Sequence, residues 1–135
     1  KPEATASTIV DGWLHTGDVC IVDEDGYITL VDRLKDMIIT GGHNVYSAEV
    51  ENALAAYPDI TDIAVVSRLD EDWGETIVAV VTPAEGRTPT LEGLREFAKS
   101  RLSDYKIPRA LIVDDIPRNP SGKIQKHILR KKVRS

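Results

Sequence analysis

Apolar positions along the chain change their spacing several times, and each change predicts an element. Val19-Cys20-Ile21-Val22 and Tyr27-Ile28-Thr29-Leu30-Val31 are runs rich in β-branched and aromatic residues. Asp23-Glu24-Asp25-Gly26 lies between them, and Asp25-Gly26 tolerates positive φ, so the segment predicts a β-hairpin. Polar Arg33-Leu34-Lys35-Asp36 leads to a short strand, Met37-Ile38-Ile39, ending at Thr40-Gly41-Gly42. The period then turns helical. Val50, Ala53, Leu54 and Tyr57 share a face, Ser47 is the expected N-cap, Glu49 suits the first turn and Pro58 closes the element. Ile63 to Val66 and Ile77 to Val81 are continuous β-rich runs, apolar enough for burial on both faces. Thr90 is the expected cap of a second helix with the apolar stripe Leu91, Leu94, Phe97, Ala98 and Leu102. Ala110-Leu111-Ile112-Val113 predicts a strand, Pro117 to Lys123 a loop, and His127 to Val133 a short basic helix. Pro2 to Ala6 suits a short opening helix. The order is hairpin, strand, helix, two strands, helix, strand, loop, helix. It predicts an α+β fold, a small mixed β-sheet with helices packed on it, preceded by a hairpin.

With 135 residues, 41% of them hydrophobic and 29% charged, the chain is expected to fold around a core rather than stay disordered. One cysteine, Cys20, leaves no internal disulfide and no zinc cluster. The apolar runs are too short to cross a bilayer, and Lys1 onward shows no basic-apolar leader, so a cytoplasmic location is expected. The formal charge of −5 hides a division. Residues 1–75 carry 4 basic and 16 acidic side chains, a net −12, whereas residues 76–135 carry 13 basic and 6 acidic, a net +7. Pro117 to Ser135 holds seven basic side chains and no acidic one. Asp23-x-Asp25 opens like a calcium loop but lacks the later ligands, and the three histidines have no metal-ligand spacing, so no metal site is expected.

Three clusters stand out in order along the chain. They are Trp13-Leu14-His15-Thr16-Gly17-Asp18, then Asp32 to Val45 followed by Ser47-Ala48-Glu49-Val50-Glu51, and finally Pro117-Arg118-Asn119-Pro120-Ser121-Gly122-Lys123-Ile124. Each alone is ordinary, a turn or a solvated loop. Together they resemble the adenylate-forming ligase superfamily of acyl-CoA synthetases, luciferases and peptide-synthetase adenylation domains, over nearly the whole chain. That superfamily has a large N-terminal domain and a small mobile C-terminal one. The resemblance implies that residues 1–32 end the large domain, 33–36 form the hinge and 37–135 are the mobile domain. The family's phosphate loop ending in Pro-Lys-Gly is not in this sequence, so the chain alone is not expected to turn over.

Site roles follow from the resemblance, position by position. Asp18 matches the aspartate that accepts both ribose hydroxyls of ATP or AMP, a task a carboxylate performs with its two oxygens. Arg33 matches an arginine of the ribose and phosphate region; the plainer alternative is an ion pair with Asp32 or Asp36. Lys35 occupies the hinge position, where backbone torsion rather than charge matters. Gly41 and Gly42 match the loop that the small domain presents for the second half-reaction, where a pantetheine arm passes close to bare backbone. Lys123 matches the lysine that enters the site for adenylation, when a carboxylate approaches an α-phosphate and a cation offsets their repulsion. Ser121-Gly122 is expected to give that lysine a flexible loop, and Trp73-Gly74-Glu75 to be a structural turn.

The implied function is the C-terminal portion of an ATP-dependent, AMP-forming carboxylic acid–CoA ligase, of the fatty-acid–CoA ligase kind. Implied partners are ATP or AMP, CoA, a small carboxylic acid, Mg²⁺ held mainly by the N-terminal domain, and that domain itself. No nucleic acid is expected; peripheral membrane contact stays open. Loading of a carrier protein, or a luciferase-like reaction, is the alternative within the family. Outside it stands a binding module whose basic tail meets an acidic partner or RNA, although that tail lacks aromatic residues for base stacking.

Overall fold

A computed structural model of the chain describes residues 9–10, 13–14 and 17–134. Its backbone divides into two units, residues 1–35 and 36–135. The expected helix at Pro2 to Ala6, and His15 and Thr16 of the first cluster, lie outside the described residues. In the first unit, β1 (Ile9–Val10) pairs antiparallel with β2 (Trp13–Leu14), and β3 (Asp18–Val22) with β4 (Ile28–Arg33). The β3–β4 hairpin is the predicted one. Asp23 Oδ1 accepts the N–H groups of Asp25 and Tyr27, each at 2.9 Å, and so closes its turn from within. A bulge between Val19 and Cys20 interrupts the ladder.

A 3₁₀ helix, Leu34–Asp36, spans the boundary between the units. Beyond it come β5 (Met37–Thr40), β6 (His43–Tyr46), α1 (Ser47–Leu54), β7 (Ile60–Asp70), β8 (Gly74–Pro83), α2 (Leu91–Ala98), β9 (Ala110–Val113) and α3 (Lys126–Val133). Among the described residues these strands form one sheet in the order β6-β5-β8-β7, with β9 also on β8. Pairing is antiparallel except between β8 and β9, which run parallel, as a crossover through α2 allows. The sheet is therefore mixed and the α+β expectation holds.

The continuous apolar runs are explained by two-sided burial. One face of β7 and β8 puts Ile63, Val65, Ile77 and Val81 against Val50, Leu54 and Leu94 of α1 and α2. The other face puts Ala64, Val66, Val78 and Val80 against Leu129 and Val133 of α3. The basic last helix thus carries an apolar stripe of its own. Both strands extend past the apolar runs because ladder bonds cover whole strands, polar residues included.

Two local expectations change. Ser47 is not an N-cap: it is the first helical residue, fully buried, and Tyr46 stands at the cap without a side-chain bond. Thr90 does cap α2, accepting the Gly93 N–H at 3.1 Å. Strand β6 was not expected, since His43-Asn44-Val45-Tyr46 is largely polar and buries only Val45 fully. It forms because Gly41 and Gly42, at φ +55° and +81°, fold the chain straight back on β5.

Candidate functional site

Asp18 and Arg33 meet across the β3–β4 ladder as register partners, at the strand ends remote from the hairpin turn. Arg33 Nη1 lies 3.2 Å from Asp18 Oδ1, with the guanidinium half exposed and the carboxylate less so. This ion pair runs across the sheet rather than along the chain. The Gly17 carbonyl accepts the Leu34 N–H at 2.6 Å and ties this corner to the chain leading to Lys35. Lys35 itself is exposed in the 3₁₀ helix, at the last position of the first unit.

Gly41 and Gly42 form the turn of the β5–β6 hairpin, and a second turn locks onto it. Asp70 Oδ1 accepts the N–H groups of Asp72 and Trp73 at 2.9 and 3.0 Å, which shapes the link between β7 and β8. The Trp73 carbonyl then accepts the Gly41 N–H at 2.8 Å. Its indole covers Gly41 so closely that a Cβ there would stand 2.8 Å from Trp73 Cε3. The Arg109 guanidinium lies over the Trp73 ring, 3.7 Å from its centroid.

Beside this turn is a cleft of about 460 Å³ lined by Trp73, Arg95, Lys99, Asp104, Tyr105, Ile107 and Arg109. The Tyr105 ring stacks on His43, next to Gly42, at 4.4 Å. Lys106 is anchored to Glu49 of α1 at 2.9 Å, and that hydrogen bond raises its pKa above the ordinary lysine value. Three cations, the Asp104 carboxylate and two aromatic rings thus line the cleft, Arg95 also donating to the Pro108 carbonyl at 2.6 Å and Lys99 pairing with Glu96 at 2.8 Å. Trp73 lies in the β7–β8 turn, as expected, whereas Arg95, Lys99, Tyr105 and Arg109 are not among the residues the sequence singles out. Their only linear signal was a scatter of basic and aromatic residues over a long segment.

Lys123 sits at the far end of the same β7–β8 hairpin. Its loop is not the flexible tether expected from Ser121-Gly122. The Asn119 carboxamide oxygen accepts from Ser121 N, Ser121 Oγ and Lys123 N at 3.1, 2.7 and 2.9 Å, and Asn119 N donates to the Lys123 carbonyl at 2.9 Å. Arg118 donates to the Gly122 carbonyl at 2.9 Å and through Nη2 to both oxygens of Asp62 at 2.9 and 2.7 Å. The Lys123 side chain is exposed, and among the described residues its ammonium has no partner.

The rest of the basic tail behaves differently. Arg118 pairs with Asp62, Lys126 with Glu51, Arg130 with Asp36 and Lys132 with Asp114. Lys126 also donates to buried Ser47 Oγ at 2.7 Å, and Glu51 in turn accepts the Val65 N–H at 2.9 Å. The charge division along the chain is therefore partly matched within the fold: Arg118, Lys126 and Arg130 of the last segment pair with acidic residues of the first half.

The two ends are well separated. Gly74, at the Gly41 end, and Thr82, opposite Asp62, are eight residues apart on β8. At roughly 3.3 Å per residue that is about 26 Å. Among the described residues there is no group of three or more His, Cys, Asp or Glu able to hold a metal ion, and no helix long and apolar enough to cross a membrane.

Residues 49–123 match the family described as the AMP-binding enzyme C-terminal domain. Across 96% of its length the chain is 48% identical to the fatty acid–[acyl-carrier-protein] ligase ScoC of Streptomyces coeruleorubidus, of which it covers 25%. It is 44% identical, over 96% of its length, to the long-chain-fatty-acid–CoA ligase FadD13 of Mycobacterium tuberculosis, covering 26% of that protein. Among solved structures, ATP-bound MatB from Rhodopseudomonas palustris matches 99% of the chain with a TM-score of 0.88 and 38% identity, the chain covering 27% of it. The chain thus spans about a quarter of the length of these relatives.

Proposed function

The chain belongs to the AMP-binding enzyme C-terminal domain family, and from that premise we propose that it is the C-terminal portion of an ATP-dependent, AMP-forming carboxylic acid–CoA ligase. Its likeness to FadD13 and ScoC supports a fatty acid as the substrate acid. The observation that carries the proposal is the division of one hairpin into two sites. An unpartnered lysine stands at one end, and a bare Gly-Gly turn beside a cationic, aromatic cleft stands at the other.

In the first half-reaction a carboxylate oxygen attacks the α-phosphate of ATP, and pyrophosphate leaves. Lys123 supplies the cation between two anions that otherwise repel, and it gains most where charge is greatest, in the transition state. Asp18 receives the ribose hydroxyls, and Arg33 orients that carboxylate through their ion pair. In the second half-reaction the thiol of CoA attacks the adenylate carbonyl and AMP leaves. Gly41 and Gly42 let the pantetheine arm pass close to the backbone. The cleft fits the nucleotide end of CoA: Trp73 and Tyr105 offer faces for a purine, and Arg95, Lys99 and Arg109 offer partners for phosphates.

Sites about 26 Å apart on one unit cannot serve one acyl group in a single orientation. Residues 37–135 therefore turn as a body about the 33–36 hinge at Lys35 between the steps, with residues 1–32 belonging to the N-terminal domain. The hydrogen-bonded Lys123 loop suits such whole-body delivery better than a swinging tether would. No residue of this chain is assigned to Mg²⁺. The cytoplasm, where ATP and CoA are available, is the proposed location.

The test uses the full-length protein that contains this chain and measures the two half-reactions separately. Lys123→Ala is expected to slow ATP–pyrophosphate exchange by about 10²- to 10³-fold while thioester formation from supplied acyl-adenylate and CoA persists. Equal loss of both steps overturns the assignment. Thioester formation on a carrier protein but not on free CoA would turn the acceptor to the carrier.

A further inference from the structure

Lys123 acts, on the reading above, by placing its ammonium at one point, yet it has no side-chain partner to hold it. Its backbone is held instead, and the outermost part of that hold is an ion pair between segments far apart in sequence. Asp62 lies on β7, opposite Thr82, at a register irregularity of the central hairpin. Its Oδ1 accepts the Ile63 N–H at 3.0 Å, which fixes the carboxylate on the strand. Both carboxylate oxygens accept from Arg118 Nη2, and Arg118 Nη1 donates to the carbonyl of Gly122, the residue before Lys123. A guanidinium can serve a carboxylate and a carbonyl together because its donors are held in a planar fork; an ammonium has no such fork.

We infer that the Asp62–Arg118 pair is a positioning device for adenylation, a strut that sets the Gly122–Lys123 backbone against the central sheet. It deepens the reading of Lys123 as the adenylation lysine and rests on that reading. Neither Asp62 nor Arg118 is assigned contact with the substrate. The pair is partly exposed, with side-chain exposures of 42% for Arg118 and 32% for Asp62, so its removal changes overall stability little. Its effect on a transition state that depends on the site of one charge is much larger, since a misplacement of about 1 Å can lower a rate about 10²-fold.

The experiment uses the full-length protein with Asp62→Ala, Asp62→Asn, Arg118→Lys, Lys123→Ala and the double variant Asp62→Ala/Lys123→Ala. Asp62→Ala and Arg118→Lys are expected to lower kcat of the ATP–pyrophosphate exchange about 10- to 100-fold. KM for ATP and acid, thioester formation from supplied acyl-adenylate, and Tm should stay near the parent values. Asp62→Asn, which keeps one acceptor oxygen, should be intermediate. In the Lys123→Ala background, Asp62→Ala should add no further loss, because the strut then has nothing to position.

Full activity of Asp62→Ala and Arg118→Lys overturns the strut while leaving Lys123 in place. Rescue by Arg118→Lys, with Asp62→Ala impaired, shows that charge rather than the fork matters and also overturns it. Equal loss of both half-reactions or a lowered Tm in Asp62→Ala reveals a merely structural pair. If Lys123→Ala itself spares adenylation, the underlying reading fails, whatever Asp62 does.

Discussion

The two ends of the β7–β8 hairpin are built in opposite ways. At the Gly74 end, backbone and rings do the locking: Gly41 donates to the Trp73 carbonyl, the indole lies on Gly41, and Arg109 covers the indole. At the Thr82 end, polar side chains do it, with Asn119 and Arg118 bracing a loop whose Lys123 projects free. On the proposed function, the difference follows from what each end presents. A surface that lets a thin chain pass needs exposed backbone held flat from behind, where any Cβ would intrude. A surface that delivers a charge needs a long side chain on a base that does not move.

Substitutions at the first end should therefore damage one half-reaction and spare the other. The largest effect is expected for Gly41→Val in the full-length protein. A β-branched residue at φ +55° is strained, and its side chain would meet the Trp73 ring. Thioester formation should fall by about 10²-fold while adenylation changes by less than about threefold. Equal loss of both would erase the contrast between the ends.

Lys35→Pro comes next. Proline fixes φ near −65° and removes an N–H within the Leu34–Asp36 turn. If the hinge reading is right, thioester formation should fall about tenfold more than adenylation. Unchanged coupling of the steps would remove the hinge. Arg109→Ala is expected to act more narrowly. It should raise KM for CoA about tenfold, the loss of one charge-assisted contact, with kcat for adenylation untouched. An unchanged KM would take the phosphates out of the cleft.

The smallest effect concerns stability at high pH. Lys106 has its pKa raised by its hydrogen bond to Glu49, and Tyr57 has its pKa raised by burial and then by Asp59. For a base with a raised folded pKa, the stabilisation is complete below the unfolded value and fades as pH rises through the folded one. A buried tyrosine behaves alike, because the unfolded chain ionises first. Thermal stability should thus decline above about pH 10, the ordinary range of both groups. Glu49→Gln should flatten that decline and Tyr57→Phe should flatten it further; a decline unchanged in both variants would count against these contacts.

Much of this was legible in the linear order of residues. The Asp25-Gly26 hairpin, the Thr90 cap, the two-sided strands and the amphipathic helices follow from preferences that act over a few neighbours. Other features were misread for a shared reason. Ser47 has the chemistry of a cap but is buried under Lys126, and Ser121-Gly122 has the composition of a loose loop but is bound through Asn119. Composition reports what a segment can do alone, not which partner reaches it.

What the sequence alone determined is therefore local and compositional: most of the strands and helices by type and order, and which runs are apolar on both sides. What only the tertiary structure decided is pairing across distance. Arg118 reaches Asp62, 56 residues away in sequence, and Lys126 reaches Glu51, 75 away. The +7 of the second half thereby meets part of the −12 of the first. Strand register fixes which of many like charges and rings become neighbours, and register is a property of the assembled sheet rather than of any one segment.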